Sequence, residues 1–556
     1  MLYNAILKGE IKFMKNEIKY SVLVFSVIIF AATYFDAQDN SLPTLQGDAA
    51  VEKLKQNGQY DSLMEAVKAT RNQDGFADFP SSENAVGQTA KLIASDGSNG
   101  DELGSGVAIS GNTAVAGAWS HDVGANQTQG AAWVFVRNGT TWTQQQKLTA
   151  SDGAAMDGFG ITVAIDGDTI IVGAWHDGVG TNFNQGSAYV FVRSGTTWTE
   201  QQRLIAPDGT PGAEFGHSVA IDGDTVIVGA YQATVGGMGD AGAAYVFVRS
   251  GTVWTQQQKL TASDAASSDH FSNVAIDGET ALVGAGSDDV GGNLDQGSAY
   301  VFVRSGTVWT QQQKLAASDG AQNDFFGGGR QHVAIDGNTV VVGATYDDVG
   351  SNLEQGSAYV FVRSGTTWTE QQHLVASDGS TSRAFGTVAI DGDTIIVGAP
   401  NAIVGLYPAV GAGYIFTRSG TTWTERQVII ASDGAERDNF GNSVAIDGNK
   451  IFIGSPSADI GMQSTQGAAY VFIARVSVSG RITTAGGSGV PKANVQMTLA
   501  NGSTLNTVST SFGYYRFDGV EADQTATVSV FSKRFSFTPQ MVEVNGNLTN
   551  VDFIAQ

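Results

Sequence analysis

A single motif recurs seven times along this 556-residue chain, and its spacing decides the architecture before any local reading. The fullest copy runs from Phe159-Gly160 through Ile165-Asp166-Gly167 to Ile170-Ile171-Val172-Gly173-Ala174. After a loop it continues with Ser187 to Val192 and Thr197-Trp198-Thr199. The tryptophan that follows each copy falls at Trp142, Trp198, Trp254, Trp309, Trp368 and Trp423, in steps of 56, 56, 55, 59 and 55 residues. A fixed period of that size means a solenoid, a propeller or an array.

Each repeat reads as four antiparallel strands. Phe159 to Ile165 is the first, and Asp166-Gly167 reads as the centre of a type I′ hairpin turn. Thr169 to Ala174 is a continuous apolar run, suited to a strand covered on both faces. Ser187 to Arg193 is rich in aromatic and β-branched residues, and Trp198 to Leu204 is the fourth. Four-stranded units repeated four to eight times are the blades of a β-propeller. The Gly-Ala ends of the second strand fall at Gly117, Gly173, Gly229, Gly284, Gly343, Gly398 and Gly454, the last followed by Ser455, but only six copies are followed by the tryptophan strand. The missing piece lies at the front, where Gln88 to Gly97 matches Gln145 to Gly153. The chain is therefore expected to be all-β: a seven-bladed propeller over residues 86–475, closed by an N-terminal outer strand that removes an exposed edge.

Phe159-Gly160, Phe215-Gly216, Phe326-Gly327, Phe385-Gly386 and Phe440-Gly441, each with a Gly-Ala strand end behind it (Gly454-Ser455 in the last), resemble FG-GAP repeats. That resemblance implies the propeller found at the head of integrin α chains and of many bacterial surface proteins, and with it an adhesion role. Two copies depart from it, Leu103-Gly104 and Phe271-Ser272. Integrin-type repeats often carry an Asp-x-Asp-x-Asp-Gly calcium loop between their first two strands. Here only tight Asp-Gly turns stand at that place, among them Asp166-Gly167, Asp222-Gly223 and Asp336-Gly337. Two residues cannot wrap a cation that wants six to eight oxygens, so the family's calcium sites are not carried over.

Lys8, Lys12, Lys15 and Lys19 precede an apolar stretch from Ser21 to Phe35, the pattern of an export signal, with Met14 as an alternative start. Residues 1–38 are read as that signal, cleaved between Ala32 and Gln38 or kept as an anchor, which would be the chain's sole membrane attachment. Residues 39–85 read as a short helical segment and linker. From Val476 the period disappears. Ser479-Gly480-Arg481, Gly489 to Val495 and Gly513-Tyr514-Tyr515-Arg516-Phe517 resemble the carboxypeptidase regulatory-like domain. That resemblance implies a small transthyretin-like β-sandwich over 476–556 with no peptidase chemistry of its own. Strands are expected at 476–483, 490–499, 511–517, 526–531 and 551–555.

A formal net charge of −24 argues against nucleic-acid binding, which needs a basic footprint. The absence of cysteine excludes disulfides, thiol catalysis and Cys-ligated zinc. Strand direction places the tight turns on one face and the long second-to-third and blade-to-blade loops on the other, and rigid scaffolds tend to carry function on such loops. Candidate ligand-binding residues there are Asp122, Asn126, Asp177, Asn182, Asp288, Asp289, Asn293, Asp347, Asp348 and Asn352, with Trp119 and Trp175 at the rim as stacking platforms. Calcium is the cation such carboxylates would hold. The competing reading is that Asp and Asn before Gly are copied turn formers, and that the tryptophans are packing. The blade-to-blade loops add Asp152, Asp157, Asp319, Asp324, Asp433 and Asp438.

The six histidines look scattered, with His217, His270 and His332 beside first strands and unpaired. No nucleophile elbow or His-Glu-x-x-His is present. A propeller enzyme would gather non-repeating charged residues around its channel, and none stands out in the sequence. The expectation is a non-enzymatic exported protein, secreted or at a bacterial cell surface, whose loop face meets an extracellular protein or polysaccharide. A glycan-active enzyme and a structural surface protein are the alternatives.

Overall fold

The computed structural model describes residues 85–404 and 407–556, so the expected export signal and all but the last residue of the expected helical segment and linker lie outside the described residues. Seven four-stranded antiparallel sheets follow one another. Blade 1 is Gly106–Ser110, Thr113–Ala118, Ala131–Asn138 and Thr141–Leu148. Blade 2, the pattern for those that follow, is Phe159–Asp166, Thr169–Ala174, Ser187–Ser194 and Thr197–Leu204. Blade 7 joins Ser443–Asp447, Lys450–Ser455 and the start of Ala468–Thr483 to the N-terminal strand Val86–Leu92. That strand runs antiparallel along Ala469–Ala474, so the front of the chain completes its last blade. The first strands touch their neighbours all round the ring, blade 7 meeting blade 1, and so line the central channel.

The repeated residues explain the stacking. Phe159 is fully buried, edge-on to Tyr189 at 5.5 Å and Phe191 at 6.0 Å, and the same trio recurs at Phe215, Phe271, Phe326, Phe385 and Phe440. The Gly-Ala glycines sit where the next blade's first strand crosses. A Cβ on Gly173 would run into the Gly216 carbonyl, and one on Gly454 into that of Gly104, so the inner ring interlocks glycine on backbone through to its closing seam.

The turn expected at Asp166-Gly167 differs from its expected type. Asp166 pairs with Thr169, the loop residues are Gly167 and Asp168, and only Gly167 has positive φ, at 54°. A type I′ turn needs positive φ at both central residues, whereas type II′ needs it only at the first. The Asp166 side chain also reaches across to the next blade, where its carboxylate accepts the Gly223 amide at 2.7 Å. Asp222, Asp277, Asp336, Asp391 and Asp447 do the same for Gly278, Gly337, Gly392, Gly448 and Gly111, so these acids clasp blade to blade.

The outer strands are joined by glutamines. The Gln146 amide bonds both the amide and the carbonyl of Trp198, at 2.8 and 2.7 Å, and Gln202, Gln258, Gln313 and Gln372 repeat this toward the next tryptophan. Gln427 makes the same pair of bonds with Val86, both at 2.8 Å. Under the turn face, Arg193, Arg249, Arg304, Arg363 and Arg418 lie over the tryptophan of their own blade, at 5.0 to 5.2 Å. Each also donates to a threonine of the preceding blade, Thr113, Thr169, Thr225, Thr280 and Thr339 respectively.

The strand Ala468–Thr483 does not stop at the propeller. Its far half pairs with Tyr514–Glu521 and, in parallel, with Phe553–Ile554. A second sheet orders Thr504–Val508, Asn494–Thr498, Gln524–Phe531 and Gln540–Val544. Val478, Ile482 and Phe517 from one sheet meet Val495, Met497 and Val528 from the other, giving the small sandwich.

Candidate functional site

In the loops where the sequence points to a ligand, the carboxylates and amides bond within the fold. The Asn126, Asn182, Asn293 and Asn352 amides each donate to a glutamine three residues on and to the carbonyl of a glycine in the following blade-to-blade loop. Asp122, Asp289 and Asp348 accept a backbone amide six residues ahead. Asp177, Asp288 and Asp347 are buried under their own loops: Asp177 accepts Ser187, the Tyr189 hydroxyl at 2.9 Å and Arg203 at 2.5 Å. Asp288 takes Lys314 at 2.6 Å, and Asp347 meets His373 at 3.3 Å. In the blade-to-blade loops, Asp152, Asp319 and Asp433 accept the hydroxyls of Tyr189, Tyr359 and Tyr470. Asp157, Asp324 and Asp438 accept an amide three residues back, and burial lifts Asp157 and Asp324 to about 6. The Asn amides and Asp122, Asp289 and Asp348 are used in turn contacts, whereas Asp177, Asp288 and Asp347 are used in ion pairs with Arg203, Lys314 and His373 of the fourth strands. Among the described residues no group of three or more His, Asp or Glu has the spacing to hold a metal ion.

Several aromatic and charged departures from seven-fold repetition gather elsewhere, at the channel mouth on the long-loop face. Blade 5 has the shortest first strand, Val333–Asp336, preceded by Gly327-Gly328-Gly329-Arg330-Gln331-His332. Its glycines permit a tight passage, since a Cβ on Gly286 would run into the Gly328 Cα. Gln331 then crosses the axis. Its amide donates to the Val107 carbonyl of blade 1 at 3.2 Å, its side-chain oxygen accepts the Val444 amide of blade 7 at 3.3 Å, and its carbonyl accepts the Val388 amide of blade 6 at 2.9 Å. The channel is thereby bridged below the mouth, and Arg330 stands above the bridge.

Trp119 and Trp175 come together there, edge to face at 6.1 Å. Trp119 donates its indole N–H to Glu102 at 2.7 Å. Trp175 lies flat on His176, with ring centroids 3.8 Å apart, and carries the Arg330 guanidinium over its ring at 5.3 Å. Its own indole N–H is buried without an acceptor. Next round the ring, Tyr231 is stacked between His217, at 4.4 Å, and His270, at 4.2 Å. Histidines that look scattered in the sequence are thus a layered stack in space, and the non-repeating channel cluster that the sequence did not reveal is present. Burial, then the Arg330 charge, holds His176 and His217 below the ordinary imidazole value and brings His332 to about 4. These rings are neutral at pH 7. Glu214, in the loop that enters blade 3, is lifted by burial to about 7.

Seven stretches of the chain, 86–135, 142–191, 198–247, 254–302, 309–361, 368–416 and 423–472, match the family model described as FG-GAP repeat, more than half of the chain together. The chain belongs to the FG-GAP repeat family. Residues 477–556 match the carboxypeptidase regulatory-like domain. Each FG-GAP match begins in the outer strand of one blade and ends in the third strand of the next. The match at 86 therefore starts with the strand that closes the ring. No curated protein matches the chain. Among solved structures it is similar to Saccharomyces cerevisiae Sqt1, at 9% identity, over 69% of this chain and 97% of that one, with a TM-score of 0.38. FG-GAP propellers and regulatory-like domains are typically non-catalytic.

The FG-GAP ring gives Glu214 a testable signature. Its folded value is raised from 4.5 to about 7, so the folded state holds a proton that the unfolded chain has already lost. Stability is therefore lost as pH rises from about 4.5 to 7, and the full cost persists above that window. Glu214→Gln removes the cost. Denaturant unfolding should show the variant matching the wild type at pH 4.5 and exceeding it at pH 8 by on the order of 3 kcal/mol. An equal difference at both pH values would mean that Glu214 is not desolvated.

Proposed function

We propose that this FG-GAP protein is an exported, non-enzymatic binding module whose long-loop face receives an extracellular protein or polysaccharide at the channel mouth. One observation carries the reading: the side chains that break the repeat, Trp119, Trp175, Tyr231, Glu214 and Arg330, converge from blades 1, 2, 3 and 5 on one opening. The same face also exposes Phe183, Leu294, Leu353 and Tyr407 at its loop tips, where a partner would cover them. The export pattern of residues 1–38 supports a cell-surface or secreted setting.

The test is binding of the full chain to arrays of polysaccharides and surface proteins. Tyr346→Ala probes the long-loop face, beside Phe325 of the mouth. Val253→Ser with Val308→Ser probes the turn face. Saturable binding weakened by the first change and untouched by the second is the expected result. Loss only with the second pair would move the site to the other face. A glycan-active enzyme is the second reading, favoured by the two carboxyl groups, Glu102 and Glu214, whose charges act on Arg330 in the mouth. Turnover of a bound glycan, abolished by Glu214→Gln with binding retained, would replace the first reading by the second.

A further inference from the structure

Arg330 is a cation without a partner. Among the described residues no carboxylate pairs with it and no side chain or carbonyl accepts from it; its contact is the face of Trp175. Glu102 and Glu214 act on it only at longer range, and burial pulls its guanidinium below the ordinary value. A guanidinium carries five N–H donors in a rigid fork that matches a carboxylate. Among the described residues several other forks are occupied: Arg193, Arg249, Arg304 and Arg418 each reach an acid of their own blade, and Arg203 reaches two. The position of Arg330 is also fixed rather than floppy. The glycine passage delivers it, and Gln331, bonded to three other blades, anchors it from below.

The surroundings hold unsatisfied polar groups that a polyhydroxyl compound would use. The Trp175 indole N–H, beside Gly158, and His217 Nδ1 are buried without partners and need side-chain movement to reach a ligand. No hydrogen bond occupies the Glu214 carboxyl. His176 presents a flat ring against Trp175. These are uncharged or weakly ionised donors and acceptors, which suit sugar hydroxyls. A second anionic group would instead meet Glu102, Glu214 and the overall negative charge of the chain.

Resting on the reading of the long-loop face as a binding surface, we infer that the channel mouth binds an acidic sugar, its carboxylate held in a two-pronged pair with Arg330 and its hydroxyls on the surrounding wall. The bridge at Gln331 makes the site a blind cup reached from one side, so a terminal or protruding uronate fits and a continuous through-channel strand does not.

The full chain is titrated calorimetrically with oligogalacturonate and oligoglucuronate. Their methyl esters, a neutral glucose oligomer of equal length and an Asp/Glu-rich peptide are run beside them. The expected result is saturable binding of a uronate, weakened about tenfold or more by esterification and by Arg330→Ala. Arg330→Lys, which keeps the charge but loses the fork, is weakened to an intermediate degree. Thermal melts of both variants are expected to show that the fold persists, because Arg330 makes no ion pair or hydrogen bond among the described residues and its loss removes only the contact with the Trp175 face. Equal affinity for acid and ester, or binding indifferent to Arg330→Ala, overturns the inference while leaving the binding face in place. Preference for the acidic peptide overturns it in favour of a protein partner. Absence of uronate binding alongside a neutral or protein ligand that Tyr346→Ala displaces overturns it alone, and absence of any ligand on that face overturns both readings.

Discussion

Replacing Val86–Leu92 with a Gly-Ser linker should lower the melting temperature of the full chain by about 10 °C. The strand forms six registered pairs with Ala469–Ala474. It buries Leu92, gives Gln427 its two backbone bonds, and brings Lys91 to Asp433 at 2.7 Å. Each backbone bond is worth about 1 kcal/mol net and the leucine about 2. More follows from topology. The ring is continuous, so removing this strand leaves Ala468–Ala474 as an open edge that pairs with whatever arrives. Calorimetry and size-exclusion should therefore report both a lower melt and self-association. An unchanged melt with a monomeric profile would mean that the inner glycine interlock between Gly454 and Gly104 closes the ring unaided.

The fold was legible because its signals are local and copied. The apolar second strand and the tryptophan of the fourth announce themselves in every period, and a period cannot be hidden by any single substitution. Local signals also misled where one residue serves two ends. Asp166 was legible as a turn former, yet its carboxylate is used by the next blade, and the turn beside it is of the other primed type. In the C-terminal sandwich, Thr504–Val508 and Gln540–Val544 went unseen because they are edge strands, exposed on alternate residues and so weakly apolar. The channel mouth was hidden for a different reason. Glu102, Trp175, Tyr231 and Arg330 are far apart in sequence, and only ring closure brings them together. One trace of it stood in the sequence: the step of 59 residues where the others are 55 or 56, which is the extra passage carrying Arg330 into the channel.

Glu521→Ala and Asp523→Ala should each destabilise the full chain by about 3 kcal/mol, because each leaves a buried cation behind at one seam of the ring. Six seams carry the glutamine clamp between outer strands. At the seam of blade 7 with blade 1, Ala90 stands where the glutamine would be, and the indole N–H of Trp142 is left without an acceptor. The arginine-to-threonine tie is also altered there. Lys450 occupies the threonine position, and Arg137, instead of reaching back to it, turns to the sandwich. Its side chain is 1% exposed, and it bonds Glu521 at 2.5 Å and the Asp523 carbonyl at 3.0 Å. Lys450, 8% exposed, reaches the Asp523 carboxylate at 2.7 Å, with Asp447 farther off at 3.6 Å. The sandwich therefore staples the seam that lacks both the glutamine clamp and the arginine-to-threonine tie, held in place by the unbroken strand Ala468–Thr483. A staple predicts more than a loss. With Asp523→Ala in place, Lys450→Thr restores the residue that the other blades carry and removes the stranded charge. The double variant should thus regain much of the stability lost, measured by denaturant unfolding as a double-mutant cycle. If the single carboxylate changes cost nothing, or if Lys450→Thr deepens the loss, the two cations are held by water rather than by the sandwich, and the domain is tethered without bearing on the ring.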